Sequence, residues 1–191
     1  MVEVKEGKMG KEIIVGENAV SRFLFVSTRS AAIWLILRLY LGWQWLTAGW
    51  GKIGAEGWTG PGAGGAIEGF IGGALASAEE GEVAGWYASF LENVVIANPV
   101  VFAYLVAWGE FFVGLGLIVG FLTGIAAFFG ATMNFSFLLA GTLSTNPLMF
   151  FIAILLILSW KVSGWYGLDR WALPKFGTPW SKRSEGPPSD E

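Results

Sequence analysis

The sequence predicts an all-α, polytopic membrane protein: a four-transmembrane-helix bundle with a long extracytoplasmic loop between helices 1 and 2. Three observations predict it. Hydrophobic residues make up 54% of the 191 residues and charged ones only 14%, with a mean hydropathy of +0.57, whereas a soluble domain carries about 25% charge. Four apolar runs have the length of a bilayer crossing. Basic residues gather at both chain ends, and the longest connection holds one, Lys52.

Length suggests one domain, here read as a cytoplasmic segment over 1–30, a membrane domain over 31–166 and a cytoplasmic tail over 167–191. Residues 1–30 are polar to Glu17 and amphipathic from Ala19 to Arg29. No long apolar core precedes a small-residue cleavage site, so this is not read as a signal peptide. Phe23, Leu24, Phe25 and Val26 between Arg22 and Arg29 predict an interfacial helix on the inner membrane face.

The first span is expected over 31–50, with Trp43, Trp45 and Trp50 towards its outer end, where aromatic side chains favour the interface. Residues 51–99 form a Gly-rich loop in which Glu56, Glu68, Glu79, Glu80, Glu82 and Glu92 face only Lys52. Its apolar stretches 66–76 and 83–97 are too short or interrupted to span and read as interfacial helices. Asn98-Pro99 opens a second span over 100–119, proline being tolerated in a first helical turn. A tight turn at 120–124 leads to a third span over 125–143, and Asn146-Pro147 opens a fourth over 148–165. Trp160, Trp165, Tyr166 and Trp171 make a second aromatic belt, and the Pro-containing tail from Gly177 is expected to be disordered. Lys5, Lys8, Lys11, Arg22 and Arg29 before span one, and Arg170, Lys175, Lys182 and Arg183 after span four, place both termini in the cytoplasm.

Composition also limits the chemistry. Cys and His are both 0, which excludes disulfides, thiolate zinc and histidine-ligated haem. No metal site is expected, and acid–base work falls to carboxylates, Lys or Tyr. The 60–73 glycines lack the Lys-Ser/Thr of a phosphate loop. The net charge of −3 gives no reason to expect nucleic acid as a partner.

Three polar side chains within the spans call for something to accept them: Arg38, Glu110 and Asn134. An ionisable group at such depth costs at least about 2.5–3.5 kcal/mol and usually faces a partner in the bundle interior. At 1.5 Å per residue they lie roughly 10, 14 and 16 Å from the inner ends of their spans. One layer is therefore expected, with an Arg38–Glu110 ion pair and Asn134 bonded to one of them. Such a layer fixes helix register or forms a polar pocket for a quinone head group with Glu110 as proton carrier; the residues alone allow both. Lys52, near Trp45, Trp50 and Trp58, either binds a small anion or snorkels to the headgroups, as Lys161 does at the inner end. Gly42, Gly114, Gly116 and Gly130 let helices approach closely.

Arg38-x-x-x-Gly42, Gly49-x-x-Lys52, Glu110 with Gly114-Leu115-Gly116-Leu117, Leu122-Thr123 at the turn and Asn134 together resemble the DoxX/DoxD family of small prokaryotic membrane proteins. The resemblance covers roughly 30–165, and the long Trp-containing loop is closer to DoxD. It implies a multi-pass plasma-membrane subunit of thiosulfate:quinone oxidoreductase. That enzyme joins two thiosulfates into tetrathionate and passes two electrons to quinone, the diffusible acceptor, with no metal or haem on this chain. It further implies a DoxA-like second subunit. In those terms Glu110 and Arg38 would be catalytic, Arg38, Glu110 and Asn134 would hold the quinone, and Lys52, Trp45 and Trp50 would bind the substrate anion. The alternative is a non-enzymatic DoxX-like scaffold that anchors a soluble redox or detoxification enzyme, with homo-oligomers open to either. A transporter ranks third, because four spans form a minimal pathway unless the protein dimerises.

Overall fold

The computed structural model describes residues 2–7, 10–15 and 18–176. The tail expected to be disordered, from Gly177 on, lies outside them. From Ala19 onward the described chain is helical, but it is preceded by an antiparallel hairpin of β1 (Val2–Gly7) and β2 (Gly10–Val15). Apart from this hairpin, which the sequence did not lead us to expect, the described chain is all-helical as predicted. β-Branched residues suit a pleated strand, and the register runs from Val2 opposite Val15 to Gly7 opposite Gly10.

The interfacial segment forms α1 (Ala19–Phe25), capped by Asn18, whose side chain accepts from Ser21 N at 2.7 Å. The chain then bends by 65° at Val26–Ser27, and a 3-10 turn at Thr28–Ser30 leads into α2 (Ala31–Lys52). α1 folds back on α2: Trp34 Nε1 donates to Leu24 O at 2.8 Å and the Trp34 ring stacks on Phe25 at 5.9 Å. The outer loop contains α3 (Gly65–Glu79) and α4 (Gly85–Phe90), and α4 runs on into a π-helical turn at Leu91–Val95. After it come α5 (Pro99–Val119), α6 (Thr123–Leu139), α7 (Asn146–Leu158), a single turn α8 (Trp160–Ser163) and α9 (Asp169–Phe176).

Glycines bring α2 and α5 to backbone contact. A Cβ at Gly49 would strike Phe111 N, one at Gly114 would strike Leu46 N, and one at Gly42 would come within 3.0 Å of Ile118 N. Gly42 thus faces Ile118, Leu46 faces Gly114 and Gly49 faces Phe111, an antiparallel register that sets Arg38 beside the α5–α6 turn and Lys52 near Glu110. At Gly120, φ is +68°, a conformation glycine adopts without steric cost.

The core has two parts. One joins Leu41 and Trp45 of α2, Val113 and Leu117 of α5, Ala127 of α6 and Leu156 of α7. The other joins Ile71 of α3, Tyr87 of α4, Leu91 and Val95 of the π turn, Ala103 of α5 and Ala140. By length and composition α5 can cross a membrane alone, and α1 with α2 pass the same criterion together. The apolar helices α6 and α7 are shorter, at 17 and 13 residues.

Candidate functional site

Glu110 is 3% exposed on α5, and its partner is Lys52, with Lys52 Nζ donating to Glu110 Oε2 at 2.5 Å. This corrects the expected Arg38–Glu110 pair. The inner ends of the two helices are not level: α2 starts about two turns beyond the α5–α6 turn and is covered there by α1. Arg38 therefore lies roughly 18 Å along the α2–α5 seam from Glu110, counting twelve residues at 1.5 Å.

Lys52 closes α2 at its last residue and is one-fifth exposed. Its ammonium lies 4.9 Å from the Trp58 ring centroid, within cation–π range, and a longer bond of 3.4 Å reaches Ala48 O. Thr59 ties the loop to this helix end, its hydroxyl donating to Lys52 O and accepting from Gly54 N.

The ion pair forms the charged end of a cavity of about 410 Å³. Phe70 and Ile71 of α3, Tyr87 of α4, Phe102 and Val106 of α5, and Phe137 of α6 supply apolar walls. The volume falls within the usual range for a small-molecule site, as does the pairing of apolar walls with a few polar groups. Tyr87 donates to Ser136 O at 2.9 Å, pinning α4 to α6 across the cavity, and burial pushes its phenol above the ordinary range.

The other residues singled out in the sequence lie elsewhere. Asn134 is fully buried, but neither its Oδ1 nor its Nδ2 makes a hydrogen bond among the described residues. The expected bond to Arg38 or Glu110 is thus replaced by a place on the inward face of α6, one turn from Gly130. Trp45 is buried against that Gly130 and tilts onto the cavity wall residue Phe137 at 6.5 Å. Trp50 is 69% exposed and packs on Phe111. Neither tryptophan lines the cavity around Lys52; Trp58 does.

Arg38 belongs to a second polar cluster. It is 1% exposed, its Nη2 donates to Tyr166 O at 3.0 Å, and Asp169 attracts it electrostatically. Asp169 in turn accepts from Leu122 N at 2.7 Å and Thr123 N at 2.9 Å, capping α6 from the far end of the chain. Its own amide donates to Gly120 O at 2.8 Å. A Cβ at Gly120 would overlap Arg38 Nη1, and one at Gly167 would come within 2.5 Å of the same atom. Backbone packs on the guanidinium at Gly120 and Gly167 and so clamps α2 to the α5–α6 turn, while Arg38 Nε and Nη1 make no hydrogen bond among the described residues. Sequence reading passed over Asp169 because its partners lie 46 and 47 residues away, beyond any local capping signal.

Against known proteins, the model of the family described as TQO small subunit DoxD matches residues 33–184. No curated protein and no solved structure matches the chain.

Proposed function

The chain belongs to the DoxD family, and from that premise we propose that it is the quinone-binding membrane subunit of a sulfur oxidoreductase, with its site in the Lys52–Glu110 cavity. The observation that carries this reading is a buried carboxylate–ammonium pair at one end of an aromatic and aliphatic cavity. A quinone is a neutral ring with two carbonyl oxygens, and it matches such a space better than a dianion does. The pair has no net charge, and burying a dianion against apolar walls without one is costly. The sulfur anion is accordingly assigned to the rim beside the acidic outer loop or to a partner subunit, which the description of the family as a small subunit supports.

In the reaction, two thiosulfates each give up one electron and join through a new S–S bond, while quinone takes up both electrons and two protons to become quinol. The chain's own residues serve the proton side. Lys52 Nζ has three donors; one is held by Glu110 Oε2, and another can meet a carbonyl oxygen inside the cavity. Glu110 fixes the ammonium in place and can accept a replacement proton at its second oxygen. Trp58 covers the ammonium and limits water at the pair.

The membrane arrangement belongs to the same proposal. α2, α5, α6 and α7 with α8 are the four spans, both termini face the cytoplasm of a prokaryotic plasma membrane, and α3 and α4 close the cavity from outside. Thiosulfate-dependent reduction of a short-chain quinone by the purified protein in nanodiscs, with and without its partner subunit, tests the reading. Turnover that vanishes in Glu110→Gln is the expected result. Full turnover in that variant overturns it, and absence of both turnover and quinone binding favours a non-enzymatic scaffold.

A further inference from the structure

A hollow of about 370 Å³ lies at the opposite end of α5 from the entrance to the outer loop, between Val119 and the start of α9. Trp165, Tyr166, Leu168 and Trp171 give it mostly apolar walls, and Arg170 is the one charged residue that lines it. Leu168 N donates to Val119 O at 3.3 Å, which ties the two sides together. The Arg170 guanidinium lies over two indoles, 5.1 Å from the Trp165 ring centroid and 5.9 Å from that of Trp171, both within cation–π range. No carboxylate pairs with it among the described residues. The neighbouring acid, Asp169, is buried, with both oxygens accepting from amides at the start of α6. Over residues 18–38 and 159–176, Asp169 is the one acid against Arg22, Arg29, Arg38, Lys161, Arg170 and Lys175. This end of the molecule therefore carries a surplus of positive charge.

We infer that this hollow binds the phosphate headgroup of an anionic phospholipid, with Arg170 holding the phosphate and the indoles of Trp165 and Trp171 holding Arg170. A planar guanidinium stacked on rings keeps its N–H edge free, and that edge grips a phosphate with two parallel bonds. The walls separate a lipid from a dissolved phosphate. A free anion would use the guanidinium alone, whereas a lipid also covers the exposed apolar side chains of Val119 and Leu168 and lays its chains along α5, which is long and apolar enough to cross a membrane. Trp and Tyr side chains favour the headgroup level. Charge separates an anionic lipid from a zwitterionic one. A choline headgroup would bring its ammonium to a hollow lined by no carboxylate, beside rings that Arg170 already occupies. The site is independent of the quinone reading; only its placement in the inner leaflet belongs to the membrane arrangement proposed above.

The experiment titrates the full-length protein, in detergent and stripped of lipid, with phosphatidylglycerol or phosphatidylcholine and counts retained lipids by native mass spectrometry. A single phosphatidylglycerol is expected to be retained at least about five-fold better than phosphatidylcholine, the effect of one base at an anionic surface. Arg170→Gln should bring the two lipids level, while Lys161→Gln leaves the preference in place. Arg170 is exposed, so its replacement spares the core, and the wild-type comparison of the two lipids stands without the variant. Equal retention of both lipids by the wild type overturns the inference, as does a preference that survives Arg170→Gln. Equal losses in Arg170→Gln and Lys161→Gln would show a diffuse basic belt in place of a site. Displacement of the lipid by millimolar inorganic phosphate would show a site for the dissolved anion, and that too overturns it. In detergent both ends of the protein are open to added lipid, so the result is independent of sidedness, and its failure leaves the quinone reading untouched.

Discussion

α2 carries two positive charges about twenty ångströms apart along the helix, and the protein treats them in opposite ways. At one end, Arg38 is enclosed by the backbones of Gly120 and Gly167, Tyr166 O and the carboxylate that caps α6. At the other, Lys52 meets Glu110 beside an open cavity, with an aromatic ring over it and a flexible stem behind it. Arginine suits the first role, with a rigid planar fork that is always charged; lysine suits the second, with a mobile ammonium able to change partner. Burial and charge alone do not separate a clamp from a reactive site. What surrounds the charge does: packed backbone in one case, free volume in the other.

The largest expected effect is on the clamp. Arg38→Ala removes the bond to Tyr166 O and empties a fully buried position, and should lower stability by about 2–5 kcal/mol, the usual range for a large buried side chain cut to alanine. Denaturant titration in mixed micelles would measure it, with turnover per folded molecule unchanged. A loss of turnover with unchanged stability would reverse the two assignments. Glu110→Gln should do the converse, costing at least about a hundred-fold in quinone reduction, roughly 2.7 kcal/mol of barrier, with a smaller change in the unfolding midpoint.

Two predictions concern what holds the regions at their distance. Gly114→Ala pushes a methyl into Leu46 N and should cost about 1–3 kcal/mol by overpacking, spreading α2 from α5 and loosening the Lys52–Glu110 pair. A thermal-shift series of Gly114→Ala and Gly72→Ala checks this, because a Cβ at Gly72 meets nothing within 4 Å. Smallest is Tyr87→Phe, which removes the bond to Ser136 O for about 1 kcal/mol. Because burial raises the phenol's pKa in the folded protein, the stabilisation is complete below its unfolded value of about 10 and fades as pH rises through the folded one. Tyr87→Phe should abolish that alkaline sensitivity in a pH-dependent melt.

Most of the helical layout was legible because runs of apolar residues carry it: α2 and α5 lie within two residues of the predicted bounds. That Arg38 and Glu110 are buried was legible too, since an Arg or Glu within an apolar run is costly enough to stand out. Their pairing was not. It depends on the stagger between α2 and α5, set by Gly42, Gly49 and Gly114 meeting backbone on the facing helix, and a single sequence shows that glycines are present but not what they touch. Asp169 fell within the segment read as a tail and Tyr166 counted only as part of an aromatic belt, because their partners are on other helices. The hairpin was overlooked because alternating charges in 2–15 read as a solvated segment when no apolar face is required of it.

The clamp also sets an order of events during synthesis. Arg38 leaves the ribosome 128 residues before Tyr166, a delay of roughly 6 to 26 seconds at 5–20 residues per second. Throughout that interval its guanidinium has neither the carbonyl nor the carboxylate that will enclose it. A nascent or truncated chain therefore leaves unpaired a cation that the finished protein encloses, and such a chain is expected to be more open to proteolysis. A chain ending before Tyr166 should accordingly be cleared faster than the same truncation carrying Arg38→Leu, as a pulse-chase measurement of both would show.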